Sequence, residues 1–486
     1  MDNLNIDQRE TIGYNFLMNE MQIHTPYGFE VNNKLKPYIK EDKDLLIKDL
    51  NDLEILVKKF KEQNNLIRDI EANLKKFKNI QEIINHLHNQ KVLDETELFE
   101  IKNFSLNIEE LINLYKKLNI EVDNIYFRSP KPLLNFLDPK NQKISSFYIC
   151  ESYSKELAYI REKKRKIEEK FAKEQNENAR ELLKKEREVV VIEENKEELR
   201  VRQELSSKLR ENIFILEDNV ISIGNFDFIL AKANLAIKYN GVKPEIINSL
   251  EINLEDAFNP YIQSILSKIK KKFTPISISL KSGVSIITGA NMGGKTVTLN
   301  LIALNVYLAQ QGFFVFAKNA SIPMVQFIHI ISSDLQDVSK GLSSFGAEIL
   351  RINEIFQNIK EKKGIILLDE FARGTNPTEG TVLVKAISEY CSKLKIITVI
   401  ATHYDGIPTK NTVHYQVKGL KNVDLELLKS KIDTSQRYSV EIIQDFIDYR
   451  LEKVPYHSKV PKDALNIAIL LGLKKDIINF AKKYYH

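Results

Sequence analysis

Gly289-Ala290-Asn291-Met292-Gly293-Gly294-Lys295-Thr296 has the spacing G-x-x-x-x-G-K-[ST], between a strand-like run at 284–288 and a helical run at 297–308. In that setting the glycines let backbone amides converge on phosphate oxygens at a helix N-terminus. Lys295 neutralises β and γ phosphates, and the Thr296 hydroxyl reaches Mg²⁺. Gly289, Asn291, Met292, Gly293, Gly294, Lys295 and Thr296 are therefore the candidate ATP-binding residues. A second run, Gly364-Ile365-Ile366-Leu367-Leu368-Asp369-Glu370, is an apolar strand ending in two acids. Asp369 is the candidate to hold Mg²⁺ with Thr296. Glu370, pointing to the other side, is the candidate to orient or deprotonate an attacking water, which favours hydrolysis over binding alone. An acid pair at a strand end is weak evidence by itself and gains weight from lying downstream of the phosphate loop. His403 follows a third apolar strand, 397–401, on the edge where open α/β sheets bind phosphate, and is a candidate γ-phosphate sensor. A lone histidine is more often structural, so the preceding motifs carry that reading.

These residues need a sheet to bring them together. After about residue 250, short β-rich runs at 276–280, 284–288, 313–316, 364–368 and 396–401 alternate with helical stretches, the pattern of an α/β domain with a largely parallel sheet. Upstream the texture is helical. Leu46, Leu50, Leu53, Val57 and Phe60, then Leu98, Ile101, Ser105, Ile108, Ile112 and Tyr115, recur at threes and fours, and Ser129-Pro130-Lys131-Pro132 breaks the pattern. Over 155–188 more than half the residues are charged, with a thin apolar seam at Leu157, Ile160, Ile167 and Phe171. Val189, Val190, Val191 and Ile192 then read as a short strand, 193–196 as a turn, and the chain to about 212 as a second charged helix. An out-and-back pair of arms with a small tip results, and interleaved acids favour a solvated coiled-coil face over a basic recognition patch. Residues 227–239 return as a helix. The end reads as a helix at 463–471, a stop at Gly472 and a second helix to Tyr485. The expected division is a helical core at 1–150, arms at 151–245, a P-loop ATPase domain at 246–430 and a C-terminal strand and helix hairpin at 431–486.

At 486 residues the chain exceeds what one hydrophobic core sustains, so a multidomain protein is expected. No window reads as a membrane span, and the acidic first residues do not resemble a secretory signal, so a cytoplasmic location is expected. Cys150 and Cys391 are far apart and lack C-x-x-C spacing, and His86 and His88 lie two apart on a helix, so neither pair suggests a metal site. Lys and Arg total 71 against 66 Asp and Glu. A net charge of +5 over this length leaves the partner open.

Taken in order, TGANMGGKT, LSSFGAE, LLDEFARGTNPTEG and ATHYDG resemble the ATPase domain of the MutS family, an ABC-type fold that works as a dimer. The resemblance covers most of the chain, with the arms similar to the family's levers and the terminal hairpin to its dimerisation element. It implies a homodimer with two composite sites, in which Ser343 is the signature serine meeting the partner's γ phosphate. Gln336 would lie in the loop linking site to arms, Asn291 would contact phosphate or water, and 373–380 would face the other subunit. The wedge domain of mismatch readers, a large clamp at the lever tips and a nuclease tail are not recognisable. Together with DEFARGTNPTEG and the ending VPKDALNIAILLGL, this looks closest to the ATPase partner that reactivates adenosylcobalamin-dependent lysine or ornithine aminomutase, working with an accessory subunit. DNA binding in mismatch-repair or recombination-type transactions is the alternative, and an ATP-gated structural dimer a third reading. Ser343→Ala should lower ATP turnover while leaving nucleotide binding by the monomer nearly intact. Equal loss of both, measured by titration and phosphate release, would mean the serine acts within its own subunit.

Overall fold

Strands buried on both faces read as unbroken apolar runs, and two such runs, Gly364–Asp369 and Ile397–Thr402, are neighbouring interior strands of the molecule's main sheet. The computed structural model describes residues 4–143, 148–289, 294–332, 344–359, 361–420, 446–458, 465, 468–469 and 473–484. The chain forms two compact units, one from Met1–Met21, Lys36–Glu54 and Asn234–His486, the other from Gln22–Leu35 and Ile55–Ala233. In chain order the helices are α1 (Ile6–Thr11), α2 (Tyr14–Glu20), α3 (Pro26–Asn33), α4 (Lys43–Glu62), α5 (Asn64–Leu74), α6 (Gln81–His88), α7 (Glu95–Leu118) and α8 (Lys131–Leu137). They continue with α9 (Lys155–Lys173), α10 (Glu177–Glu211), α11 (Ile213–Lys238), α12 (Pro260–Lys268), α13 (Lys295–Ala309), α14 (Ser344–Asn358), α15 (Pro377–Ser392) and α16 (Lys475–Tyr484). The strands are β1 (Glu245–Ile247), β2 (Glu251–Ala257), β3 (Ile276–Lys281), β4 (Gly283–Thr288), β5 (Asn319–Pro323), β6 (Phe327–Ser332), β7 (Gly364–Asp369), β8 (Ile397–Thr402), β9 (Thr412–Gly419) and β10 (Asp448–Val454).

In the first unit, six strands form a sheet in the order β10-β9-β4-β8-β7-β6. All neighbours pair in parallel except the edge strand β10, which is antiparallel to β9. A smaller sheet, β1-β5-β2-β3, is mixed. The chain leaves β4 for the far edge at β6, returns through β7 to β8 beside β4, and then crosses to β4's other flank at β9. The end of β4 is thus a switch point, where open parallel sheets bind ligands beyond the carboxyl ends of their strands. Helices α14 and α15 pack Ile352, Ile355 and Val384 against Ile286, Ile366, Leu368 and Ile400. Helix α13 is buried along nearly its whole length, which is why it lacks an amphipathic pattern.

The helical unit contains the arms. Ser154 caps α9 by accepting from the Leu157 amide, and α9 and α10 pack through Ile160, Ile167 and Val190. Ion pairs flank this seam: Arg161 lies 2.8 Å from Glu194 and 2.7 Å from Glu198, Lys163 3.2 Å from Glu193, and Arg187 2.8 Å from Glu168. Burial pushes the Glu194 carboxyl up, but hydrogen bonds from Lys164 and Arg161 bring it below its ordinary range. The arms' charges therefore largely serve one another. Elsewhere in this unit Asp227 accepts from the His24 and Thr25 amides and the Thr25 hydroxyl. Gly28 is required beside it, since a Cβ there would lie 2.4 Å from the carboxylate.

Several expectations need correction. The strand and turn expected at 189–196 are the interior of the 35-residue helix α10, and the chain reverses earlier, at Glu174-Gln175-Asn176, where Asn176 caps the new helix. The run 313–316 forms no strand, only the bridge between Val242 and Val315. Pro130 begins α8 as its cap instead of merely ending the preceding pattern. The return helix starts at Ile213, not at 227. By length and composition α11 is apolar enough to cross a membrane, contrary to expectation, and 67% of its most apolar window is buried within the protein. The expected helix at 463–471 lies largely outside the described residues.

Ile192 is 54% exposed, so Ile192→Pro probes the backbone without emptying a core. Proline inside a helix costs about 3 kcal/mol or more. Circular dichroism should show lost helix and an earlier melting transition. An unchanged spectrum and melt would mean that the chain turns there.

Candidate functional site

Parallel register delivers the candidate residues to one edge. Thr288 of β4 is opposite Thr402 of β8, and Asp369 of β7 is opposite Ala401. The phosphate loop, the acid pair and Thr402-His403 therefore leave the sheet side by side. Gly289 passes so close to β9 that a Cβ would lie 2.9 Å from the Val417 side chain. Gly294 caps α13 in the left-handed region at φ +79°, and a Cβ there would also press on Tyr449 of β10 at 3.2 Å. Asn291, Met292 and Gly293 lie outside the described residues, as do Gln336 and Ser343.

Lys295 opens α13 and is 4% exposed. Its ammonium donates to the Gly289 carbonyl at 2.9 Å and lies 3.4 Å from Glu370 Oε1. Burial pushes its pKa down, against the attraction of Glu370 and Asp369. Thr296 Oγ1 donates to Asp369 Oδ2 at 2.6 Å. Glu370 has a positive φ of +47°, and its amide donates to the Ala401 carbonyl at 2.9 Å. Its second oxygen, Oε2, lies 3.1 Å from Arg373 Nη1 as an ion pair whose angle makes no hydrogen bond. His403 Nδ1 is 3.8 Å from Glu370 Oε1, and its ring packs on Tyr404 at 4.6 Å between centroids. Lys295, Thr296, Asp369, Glu370 and His403, expected from separate motifs, thus form one cluster.

The donor set suits the ligands the motifs imply. A hydroxyl and a carboxylate oxygen are hard donors appropriate to Mg²⁺, and a buried ammonium at a helix N-terminus is appropriate to a phosphate. The charge of Lys295 is balanced by Glu370.

Other residues of the cluster carry no local motif. Behind β4, Thr288 Oγ1 and His414 Nε2 are 2.8 Å apart, and His414 Nδ1 is 3.2 Å from the Pro455 carbonyl. That carbonyl can only accept, so Nδ1 carries the proton and Nε2 accepts from Thr288. Burial pushes the His414 pKa down, in keeping with a neutral ring. Arg373 could have been suspected from its place three residues after Glu370. Tyr449 and His414 come from distant strands and left no signal in the sequence.

Residues 285–471 match the MutS domain V family model. Among curated proteins, the chain is 32% identical to Endonuclease MutS2 of Leuconostoc mesenteroides over 291 residues, 60% of this chain and 33% of that protein. It is 33% identical to Endonuclease MutS2 of Caldicellulosiruptor bescii over 299 residues, 60% of this chain and 34% of the relative. It is 29% identical to the DNA mismatch repair protein MutS of Persephonella marina over 285 residues, 57% and 30% of the two chains. These matches cover about a third of each relative's length. The chain thus carries a MutS-type ATPase domain and is homologous to MutS2 and MutS proteins over that region.

Removing the buried ammonium should remove nucleotide affinity. Lys295→Ala is expected to weaken Mg·ATP binding roughly 100-fold, since hydrogen bonds to charged groups contribute about 1.5–3 kcal/mol. Calorimetric titration checks this, and wild-type affinity would take Lys295 out of the phosphate site.

Proposed function

We propose that this protein is a MutS-type ATPase that hydrolyses Mg·ATP at the β4–β7–β8 edge and couples the cycle to a DNA transaction. The observation that carries the ATPase reading is the buried cluster itself: Lys295 at the start of α13, Thr296 hydrogen-bonded to Asp369, and Glu370 set between Lys295, Arg373 and His403. Lys295 would meet the substrate's β and γ phosphates. Thr296 and Asp369 would hold Mg²⁺, which when bound supplies charge neutralisation on the phosphate oxygens. Glu370 would orient the water and accept its proton, and His403 would donate a hydrogen bond to the γ phosphate. Phosphate at Lys295 would compete with Glu370 for the same ammonium, so binding and the placing of the base are linked. Ser343 and Gln336 complete the reading as groups acting toward a second subunit and toward the arms, in a homodimer with two composite sites.

The client proposed is DNA. The names of the relatives, an endonuclease and a mismatch-repair protein, support that alternative over remodelling of a cobalamin-dependent aminomutase.

Steady-state ATP hydrolysis at physiological salt, alone and with homoduplex, mismatched, branched and single-stranded DNA, tests both halves. The expected result is turnover changed saturably by at least one DNA form, with an effect that weakens as salt rises because phosphate contacts release counterions. Rates indifferent to every DNA would remove nucleic acid as the client, and no turnover at all would remove the ATPase.

A further inference from the structure

Glu348 is a carboxylate where apolar packing would be expected. It lies in α14 among Phe345, Ile349 and Ile352, which pack on Phe371, Ala372 and Tyr404, and it is 1% exposed. A carboxyl in such surroundings is costly unless it is hydrogen-bonded. Burial pushes its pKa up. Its Oε2 accepts from the Ala372 amide at 2.8 Å. The carbonyl of the same residue accepts from the Tyr404 hydroxyl at 3.0 Å. Ala372 is therefore gripped on both sides, by a helix that follows Ser343 directly and by the loop after β8 that carries His403. It also has a left-handed φ of +63°, as Glu370 does at +47°, a conformation that non-glycine residues hold only when their surroundings enforce it. Gly380 leaves room for the grip, since a Cβ there would lie 2.6 Å from the Tyr404 hydroxyl and 3.0 Å from the Ala372 carbonyl.

We propose that Glu348 is a positioning residue that, with Tyr404, clamps Ala372 and so fixes Glu370 to α14, coupling the serine that acts on the partner's nucleotide to the carboxylate that acts on the chain's own. The coupling rests on the roles given above to Ser343 and Glu370, and the clamp itself on the geometry alone. A displacement of α14 when its N-terminus meets a second subunit's phosphate would then shift the Glu370 turn in the same chain. The two composite sites would be connected through each subunit's interior.

Two readouts keep the clamp separate from the ATPase reading. Hydrogen exchange of the peptide covering 369–376 in nucleotide-free protein reports the clamp directly, and steady-state kinetics report its consequence. Glu348→Ala is expected to raise exchange in that peptide and lower kcat about tenfold while leaving KM and Mg·ATP affinity within about twofold. Glu348→Gln keeps an oxygen that can accept from the Ala372 amide and should recover most of both. Tyr404→Phe removes one hydroxyl and should produce a smaller change in the same direction, which decides the matter if Glu348→Ala does not fold. Unaltered exchange and kcat in Glu348→Ala and Tyr404→Phe would overturn the proposal, as would a Gln variant no better than Ala, or a rise in KM matching the fall in kcat. Lack of turnover in the wild-type chain would count against the ATPase reading and leave the exchange result to judge the clamp.

Discussion

The parallel pairing of β4 with β8 and of β8 with β7 is the constraint on which the rest of the molecule depends. It sets Thr288 level with Thr402 and Asp369 level with Ala401, so three distant segments of chain finish at one edge. Strands buried on both faces have their register fixed by packing, and a slip of one residue would turn every inward side chain to the opposite face. Here it would also carry Asp369 away from the Thr296 hydroxyl, 2.6 Å distant. Such a site is built by rigid elements, and among its described residues Glu370 and Ala372 are held in left-handed conformations that non-glycine residues rarely adopt.

Electrostatics does at this edge what packing does beneath it. An ammonium as buried as that of Lys295 needs partners, and it has the Gly289 carbonyl and Glu370, the latter itself close to Arg373 and His403. Under the roles proposed for Lys295 and Glu370, the carboxylate stands where phosphate charge would otherwise be needed. Under the same proposal a bound anion at Lys295 would also change what holds Glu370.

What was legible in the sequence follows from how local each feature is. The phosphate loop, the acid pair and His403 are each contiguous with the strand or helix that positions them, so spacing alone brought Lys295, Thr296, Asp369 and Glu370 into one hypothesis. His414 and Tyr449 lie on strands remote in the chain, and nothing near them in sequence announces a partner, whereas Glu348 ends the LSSFGAE motif without that motif revealing its hydrogen bond to Ala372. The run Val189-Val190-Val191-Ile192 misled because β-branched residues favour strands only weakly. Val190 instead packs on Ile160 and Ile167, and flanking ion pairs such as that of Arg161 with Glu194 hold the helix through it. The apolar residues at 313–316 fill the core as an irregular segment, a reminder that short apolar runs do not distinguish strand from buried loop.

The most direct test of the account is a comparison of Mg·ATP binding, phosphate release and sedimentation for wild-type protein and Glu370→Gln. The amide keeps the shape of the side chain but cannot accept the water's proton, so the account predicts retained binding, a loss of turnover of roughly a hundredfold or more, and an ATP-dependent dimer that persists. Turnover at the wild-type rate in the variant would contradict the assignment of Glu370, and with it the reading of this sheet edge as a hydrolytic site.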